Sequence, residues 1–198
     1  MPNTLSARSE DTVAGILGSA TTLFVSRSYA DVSMDDIAEA SGLTKGALYH
    51  HFESKEALYL AMMHSVLEEK KRHFIAAGAQ GESCAERLRN LTRAFFTLSR
   101  KEQRLLRLVR RDAKIFRRAM RDELIRSYQA AVPEPIEAVL RQGIEAGEIA
   151  PADPRLLSWH FVALVEVILT RYAGTLFADD ESKLDAVLSH FLHGAAAR

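Results

Sequence analysis

The sequence has only one cysteine, Cys84, in 198 residues. An internal disulfide is impossible, and a reducing compartment suits such a chain. No segment approaches the roughly 20 apolar residues of a membrane-spanning helix, because the most apolar stretch, 161–169, is short and contains Glu166. The polar residues 1–10 lack the charged and apolar regions of a secretory leader. These absences predict a cytoplasmic protein that does not enter a membrane, with Cys84 as a plain small side chain.

The motifs of common enzymes and metal sites are also missing. The sequence contains no G-x-S-x-G, H-E-x-x-H or E-x-x-H motif and no glycine-rich phosphate loop. His50 and His51 are adjacent, and adjacent residues of a helix do not share a face. His190 and His193 are better spaced, but no carboxylate or cysteine accompanies them in a ligand pattern. The sequence therefore predicts no catalytic residues, no bound metal and no cofactor.

Net charge is +0, so overall charge gives no support to nucleic-acid binding. The distribution is uneven: residues 87–126 carry 14 basic and 4 acidic residues (14 − 4 = +10), and residues 1–75 carry 7 and 10 (7 − 10 = −3). The basic segment 104–118 could attract an anion such as a carboxylate or an acyl-CoA. It could equally be a solvated helix face.

Apolar residues recur at helical rather than alternating spacing, which predicts an all-α fold. The first helix has one apolar stripe that neighbouring helices must cover: Val13, Ile16, Leu17, Ala20, Leu23 and Phe24. Further helices are expected at about 83–99, 102–112, 115–131, 135–146, 154–175 and 180–193. Pro133 and Pro135 should interrupt the chain between two of these, because proline removes a helical donor.

Residues 33–54 have the pattern of a helix-turn-helix. Ser33 starts a short helix with a capping box, Gly42 can close it in the left-handed conformation, and Thr44 caps a second helix over Lys45–His51. Ser54 then caps a longer helix. If the apolar residues of the second helix cover the first helix of the chain, its remaining face is free to meet DNA.

The outward residues of this motif suit a DNA duplex. Thr44 and the free amides behind it can bind a phosphate, Lys45 can donate to guanine or to the backbone, and Gly46 permits close approach. Tyr49 can reach phosphate oxygens, although it could also be a core aromatic, as Phe52 is expected to be. The full predicted set of DNA contacts is Ser33, Thr44, Lys45, Gly46, Tyr49, His50 and Lys55.

Two stretches resemble the signature of the TetR family: T-K-G-A-L-Y-H-H-F-E-S-K-E-A-L over 44–58 and V-S-M-D-D-I-A over 32–38. The resemblance is specific over about 14–60, with Ser28 at a turn where the family often has glycine. It implies a DNA-binding domain over 1–54 and a helical ligand-binding and dimerisation domain over 55–198, connected by a helix at about 55–78. It further implies a homodimeric regulator, usually a repressor, which binds a palindromic operator and is released by a small molecule. An architectural DNA-binding protein without a ligand remains the alternative.

The C-terminal part offers candidates for the other two surfaces. The predicted ligand pocket consists of aromatic and methionine residues that could equally be plain core: Phe96, Phe116, Met120, Tyr128 and Trp159. In the family the last two helices form the dimer interface. The apolar residues predicted for it are Val165, Ile168, Leu184, Val187, Leu188 and Phe191.

Overall fold

The computed structural model describes residues 4–195, and all regular elements in this range are α-helices. The predicted all-α fold is confirmed. In chain order the helices are α1 (Thr4–Ser26), α2 (Met34–Ala40), α3 (Lys45–His51), α4 (Lys55–Gly78), α5 (Cys84–Phe96), α6 (Arg100–Asp112), α7 (Arg118–Ala131), α8 (Pro133–Glu145), α9 (Pro154–Ile168), α10 (Ala173–Leu176) and α11 (Asp180–Ala195).

The short helices begin at side chains that satisfy their free amides. The Ser33 hydroxyl accepts from the Asp36 amide at 3.1 Å, and the Asp36 carboxylate accepts from the Ser33 amide at 2.7 Å. This confirms the predicted capping box of α2. Thr44 accepts from the Ala47 amide at 3.2 Å and so caps α3. Between the two helices Gly42 has a φ of 67°, a conformation that glycine adopts without strain.

Pro133 and Pro135 interrupt the chain between two helices, as expected. The helix predicted at about 154–175 ends earlier in the structure, so its predicted C-terminal end is wrong. α7 ends at Ala131, and α8 begins with Pro133. α9 ends at Ile168, because the Thr170 hydroxyl donates to the Val167 carbonyl at 2.7 Å and its amide bonds the same oxygen at 3.1 Å. Thr170 also accepts from the Ala173 amide, which starts the separate short helix α10.

The chain forms two compact units. The first unit comprises residues up to Val66 together with Arg104–Ile125. Its aromatic core includes Phe24, Tyr29, Tyr59 and Phe116, with ring centroids 4.9 to 5.8 Å apart in the contacting pairs. Packing thus divides the chain differently from the predicted boundary at residue 54, because Tyr59 of α4 is wholly buried against these rings. That residues 1–54 act as the DNA-binding domain stays a prediction.

The second unit comprises Leu67–Gln103 and the residues from Arg126 onward. Within it α8 packs on α9 and α5, and α11 packs on α5 and α9. Phe161 of α9 and Phe191 of α11 meet edge to face, with centroids 5.0 Å apart. Within residues 4–195, no helix has the length and apolar character needed to cross a membrane.

Candidate nucleic-acid interface

Most of the surface of α3 is exposed, and the helix packs on the rest of the chain through its inner side. Leu48 is fully buried on the inner side. The outer side presents Lys45, Gly46, Tyr49 and His50, all exposed. The first amides of a helix have no partner within it, and of these the Ala47 amide is capped by Thr44. This face combines hydrogen-bond donors, one cation and a glycine, which are groups that can contact phosphates and base edges.

Lys45 is engaged by an acid that the sequence reasoning missed. Its ammonium lies 2.9 Å from the Asp35 carboxylate, and both side chains are mostly exposed. The hydrogen bond with Asp35 raises the pKa of Lys45. An exposed pair of this kind is weak, so the ammonium can exchange Asp35 for a phosphate. Asp35 precedes Lys45 by ten residues across a turn, a spacing that carries no sequence signal of its own.

Ser33 is occupied by its own helix. Its hydroxyl accepts from the Asp36 amide and donates to the Asp36 carboxylate. The bonds from the Ser33 side chain and backbone hold the pKa of Asp36 below its usual value. Arg27 adds a longer ion pair to Asp36, at 3.7 Å. A phosphate contact from Ser33 would therefore require its hydroxyl to turn its proton from Asp36 to the phosphate.

Lys55 lies in a different setting from the other predicted contacts. Its ammonium donates to the carbonyls of Tyr29 and Val32 at 2.9 and 2.8 Å. It also lies 4.3 Å from the centroid of the Tyr29 ring, a cation–π distance. The side chain thus braces the loop between α1 and α2, and the two bonds leave one ammonium proton for any contact with a phosphate.

Two family profiles match this chain. Residues 16–62 match the bacterial regulatory proteins of the tetR family, and residues 81–172 match the tetracyclin repressor-like C-terminal domain. The chain belongs to the TetR family. It is therefore a helix-turn-helix transcriptional regulator and not an enzyme. TetR regulators bind operator DNA and small-molecule effectors.

Individual TetR proteins resemble the chain at modest identity. The HTH-type transcriptional regulator YhgD of Bacillus subtilis is 26% identical over 149 residues, which are 75% of this chain and 78% of that protein. The HTH-type transcriptional repressor KstR2 of Rhodococcus jostii is 36% identical over 76 residues, 37% of each chain. The crystal structure of AibR in complex with isovaleryl coenzyme A and operator DNA superposes with a TM-score of 0.72. That match covers 90% of this chain and 97% of AibR at 24% identity, which shows a shared fold.

In this TetR protein the predicted pocket residues fall into different units. Phe116 and Met120 lie in the first unit beside an open cleft. Tyr128 and Trp159 lie in the second unit and stack with centroids 6.3 Å apart. Phe96 is half-buried on α5. The structure thus does not gather the five residues into a cavity within either unit.

The side chains predicted for the dimer interface point into their own subunit. Val165, Leu184, Val187, Leu188 and Phe191 are buried in the single chain, and Ile168 is half-buried. The apolar residues that this region exposes lie outside the predicted set, which stays a prediction: Leu156, Val167, Tyr172 and Leu176, each more than half exposed. Leu156, His160, Ala163 and Val167 recur at i, i+4, i+7 and i+11 and are all exposed, so they form one face of α9. That spacing is a signal the sequence reasoning could have used.

The histidines and the cysteine have no grouping that suggests metal chemistry. In the described part of the chain, no three His, Cys, Asp or Glu side chains are arranged to hold a metal ion. Cys84 is buried, and burial together with nearby Glu148 raises the pKa of its thiol to about 11. A thiol with so high a pKa is a poor nucleophile at neutral pH.

Proposed function

We propose that this TetR regulator is a repressor that binds a palindromic operator as a homodimer and leaves it when a small-molecule effector binds. The observation that carries the DNA-binding part is the exposed outer face of α3, held in place by buried Leu48. The name of KstR2 supports repression by likeness, and the complex of AibR with operator DNA and isovaleryl coenzyme A supports binding of both DNA and a small molecule. Such a regulator would act in the cytoplasm, where the chromosome is.

Some of the proposed contacts position the protein on the DNA backbone, and others read base edges in the groove. Thr44 and the first amides of α3 would bind a phosphate at the positive end of the helix, and Tyr49 and His50 would donate to the backbone one turn later. Lys45 would leave Asp35 for the groove or a phosphate. A Cβ built on Gly46 meets nothing within 4 Å, so packing within the chain does not demand glycine there. This supports a role for Gly46 in close approach to an external partner.

The proposed dimer would join two copies through their outward apolar residues. Leu156 and Val167 lie on the exposed face of α9, and Tyr172 and Leu176 follow in the next segment. Isolated exposed apolar residues are ordinary, but Leu156, Ala163 and Val167 share one face over three helical turns, which favours a covered surface. A palindromic operator also requires two reading heads related by two-fold symmetry. The buried residues that the sequence predicts for the interface, with Phe191 and Leu184 among them, would support this face from inside each subunit.

The dimer can be tested by charge substitution. A Leu156→Glu, Val167→Glu variant should sediment as a monomer, because two carboxylates would be buried without partners at the interface. Ile75→Glu is the matched control, since Ile75 is also about half exposed but lies on α4. If the double variant remains as dimeric as the control, the two copies do not meet at this face.

The DNA-binding part is tested by fluorescence anisotropy on the intergenic DNA upstream of the gene, against a scrambled duplex at the same salt. Wild type should bind the native duplex more tightly, and a Lys45→Ala, Tyr49→Ala variant should lose this preference. Lys71→Ala is the control, because Lys71 lies on α4 and pairs with Glu68 at 3.8 Å. Equal weak binding to both duplexes, unchanged by the double substitution, would contradict the proposed reading face.

A further inference from the structure

The basic segment 104–118 lies in the first unit and carries its cations on the surface. Residues 104, 107 and 111 recur at i, i+3 and i+7, so they share one face of α6. The apolar side of the same helix is buried, with Leu105, Leu108 and Val109 in the core. The segment is thus fixed by its apolar side and presents cations outward. The exposed cations are Arg104, Arg107, Arg111, Lys114, Arg117 and Arg118.

Most of these cations have no acidic partner among the described residues. Arg111 pairs with Asp112, and Arg118 lies 3.9 Å from Asp122. The other four make no ion pair within the part of the chain that the structure describes: Arg104, Arg107, Lys114 and Arg117. Their charges are therefore available to a partner outside the chain.

Arginines elsewhere on the surface are matched by acids. Arg93 of α5 lies 3.0 Å from Glu181 of α11, and Arg89 pairs with Asp185 of the same helix. Like charges one turn apart on a helix repel one another, and residues 104 and 107 of α6 are so placed. The unmatched cations thus destabilise the folded chain slightly, and a bound polyanion would offset this repulsion.

The part of the first unit that precedes this segment is acidic overall. Residues 1–66 carry 4 basic and 8 acidic residues (4 − 8 = −4), and residues 104–125 carry 8 and 3 (8 − 3 = +5). The outer face of α3 offers one lysine, Lys45, which already lies beside Asp35. Affinity for a duplex comes largely from cations that displace counterions at phosphates. Within the first unit, the basic segment supplies the cations that the helix-turn-helix lacks.

The basic segment adjoins the helix-turn-helix within the first unit. The Phe116 ring, one residue before Arg117, lies 4.9 Å from the ring of Tyr29 in the loop before α2. Arg117 also lines an open cleft together with Ser54, the residue before α4. The cations at this end of the segment therefore lie beside the elements that carry the predicted DNA contacts.

Two other classes of anionic partner fit this arrangement less well. An anionic membrane is bound by an amphipathic helix that inserts its apolar face, and the apolar face of α6 is buried within the chain. A small anion needs cations gathered around one pocket, whereas these follow the helix for about 10 Å, at 1.5 Å per residue, and continue beyond it. A polyanion with repeated charges suits such a row, and duplex DNA carries one charge per roughly 1.7 Å of its axis.

We propose that the basic segment 104–118 binds the phosphate backbone of duplex DNA independently of base sequence. Arg104, Arg107, Lys114 and Arg117 donate to phosphate oxygens, arginine through its planar fork and lysine as a point charge. The face proposed for α3 selects the sequence, and this segment adds affinity for any duplex. The inference rests on the DNA binding of the TetR family, and not on repression, dimerisation or release by an effector.

The test is the salt dependence of binding to a long scrambled duplex, measured by fluorescence anisotropy, because a scrambled duplex reports contacts that do not depend on sequence. In Lys114→Gln, Arg117→Gln the slope of log affinity against log salt concentration should be smaller in magnitude by about 1.8, which is about 0.9 for each lost phosphate contact. A second variant, Arg104→Gln, Arg107→Gln, should show a similar reduction. A reduction in either variant supports the contact.

A matched control separates a local contact from a general effect of charge. Arg89→Gln, Arg93→Gln removes the same two charges, but these arginines pair with acids of α11, so the slope should stay at the wild-type value. Arg104→Lys, Arg107→Lys keeps both charges and should keep most of the slope, because lysine also binds phosphate. The glutamine variants of the basic segment should unfold at the wild-type urea midpoint, since the replaced side chains are exposed.

Three results would overturn the proposal. The first is a wild-type slope in both glutamine variants of the basic segment, or an equal reduction in the Arg89, Arg93 control. The second is a fall of the urea midpoint that accompanies the loss of affinity, because the cations would then stabilise the fold instead. The third is unchanged slopes together with loss of binding to poly-glutamate, which would assign the segment to an acidic protein partner.

The native upstream duplex separates this surface from the face proposed for α3. The glutamine variants of the basic segment should weaken binding to the native and scrambled duplexes by the same factor, so the preference of wild type for the native duplex is kept. Lys45→Ala, Tyr49→Ala should instead lose that preference. If wild type shows no preference while the slopes change as expected, the face proposed for α3 fails and the basic segment stands.

Discussion

Replacing Lys55 with methionine would separate a structural role of this residue from a DNA-binding one. Methionine keeps an unbranched stem of similar length but removes the ammonium. The substitution therefore deletes the two bonds to the Tyr29 and Val32 carbonyls, at 2.9 and 2.8 Å, and the cation over the Tyr29 ring. Both carbonyls belong to the loop that sets the position of α2.

The expected loss of stability follows from these contacts. A hydrogen bond from a charged donor contributes roughly 1.5–3 kcal/mol, and a partly exposed cation–π contact about 0.5–1 kcal/mol. The two bonds share one half-buried ammonium, and water can replace part of what is lost. We therefore count the two bonds as one contribution, which gives a sum of roughly 2–4 kcal/mol. The free energy of unfolding should fall by about 2 kcal/mol, the lower end of this range.

Urea unfolding and the salt dependence of operator binding measure the two roles separately. Lys55→Met should lower the urea midpoint with an unchanged slope. Between about 50 and 200 mM salt its binding should keep the wild-type salt dependence, because no phosphate contact is lost. Lys45→Met is the control with the opposite pattern. Its urea midpoint should be unchanged, and the slope of log affinity against log salt concentration should be smaller in magnitude by about 0.9. An unchanged midpoint together with a reduced slope in Lys55→Met would refute the bracing role.

Three other predictions concern the second unit. Gly143→Ala should destabilise the protein by about 1–3 kcal/mol in urea unfolding, because the new Cβ would lie 2.6 Å from the Cys84 sulfur. Cys84→Ala in that background should restore part of the loss, and an unperturbed midpoint for Gly143→Ala would disprove the clash. The native Cys84 thiol, with its pKa raised to about 11 by burial and Glu148, should resist Ellman's reagent at about pH 8 and react on unfolding; rapid native reaction would contradict this. The hydrogen bond from Lys70 lowers the pKa of Glu102 from 4.5 to about 2, so its stabilisation is present above about pH 4.5 and is lost as the pH falls toward 2. Glu102→Gln should weaken this acid dependence in urea midpoints measured across that range, and an identical dependence would exclude Glu102 as its source.

Local features of this protein could be predicted from the sequence because their causes lie within a few residues. The capping box at Ser33, the turn at Gly42 and the break at Pro133 each depend on backbone amides or dihedrals next to the residue named. The same is true of part of the outer face of α3, since helical periodicity turns Gly46 and Tyr49 away from Leu48. These elements and the TetR signature that they carry identify the class of protein.

The tertiary structure decided which partner each versatile side chain takes. A lysine ammonium can donate hydrogen bonds to a phosphate or to a carbonyl. Only the fold of the α1–α2 loop brings two carbonyls to the ammonium of Lys55. Val165 and Val167 are chemically alike, yet packing in the second unit buries the first and leaves the second exposed. The open cleft beside Phe116 and Met120 is likewise lined by residues as distant in the chain as Tyr29 and Met120. Such choices depend on contacts distant in sequence, which helical period and composition do not encode.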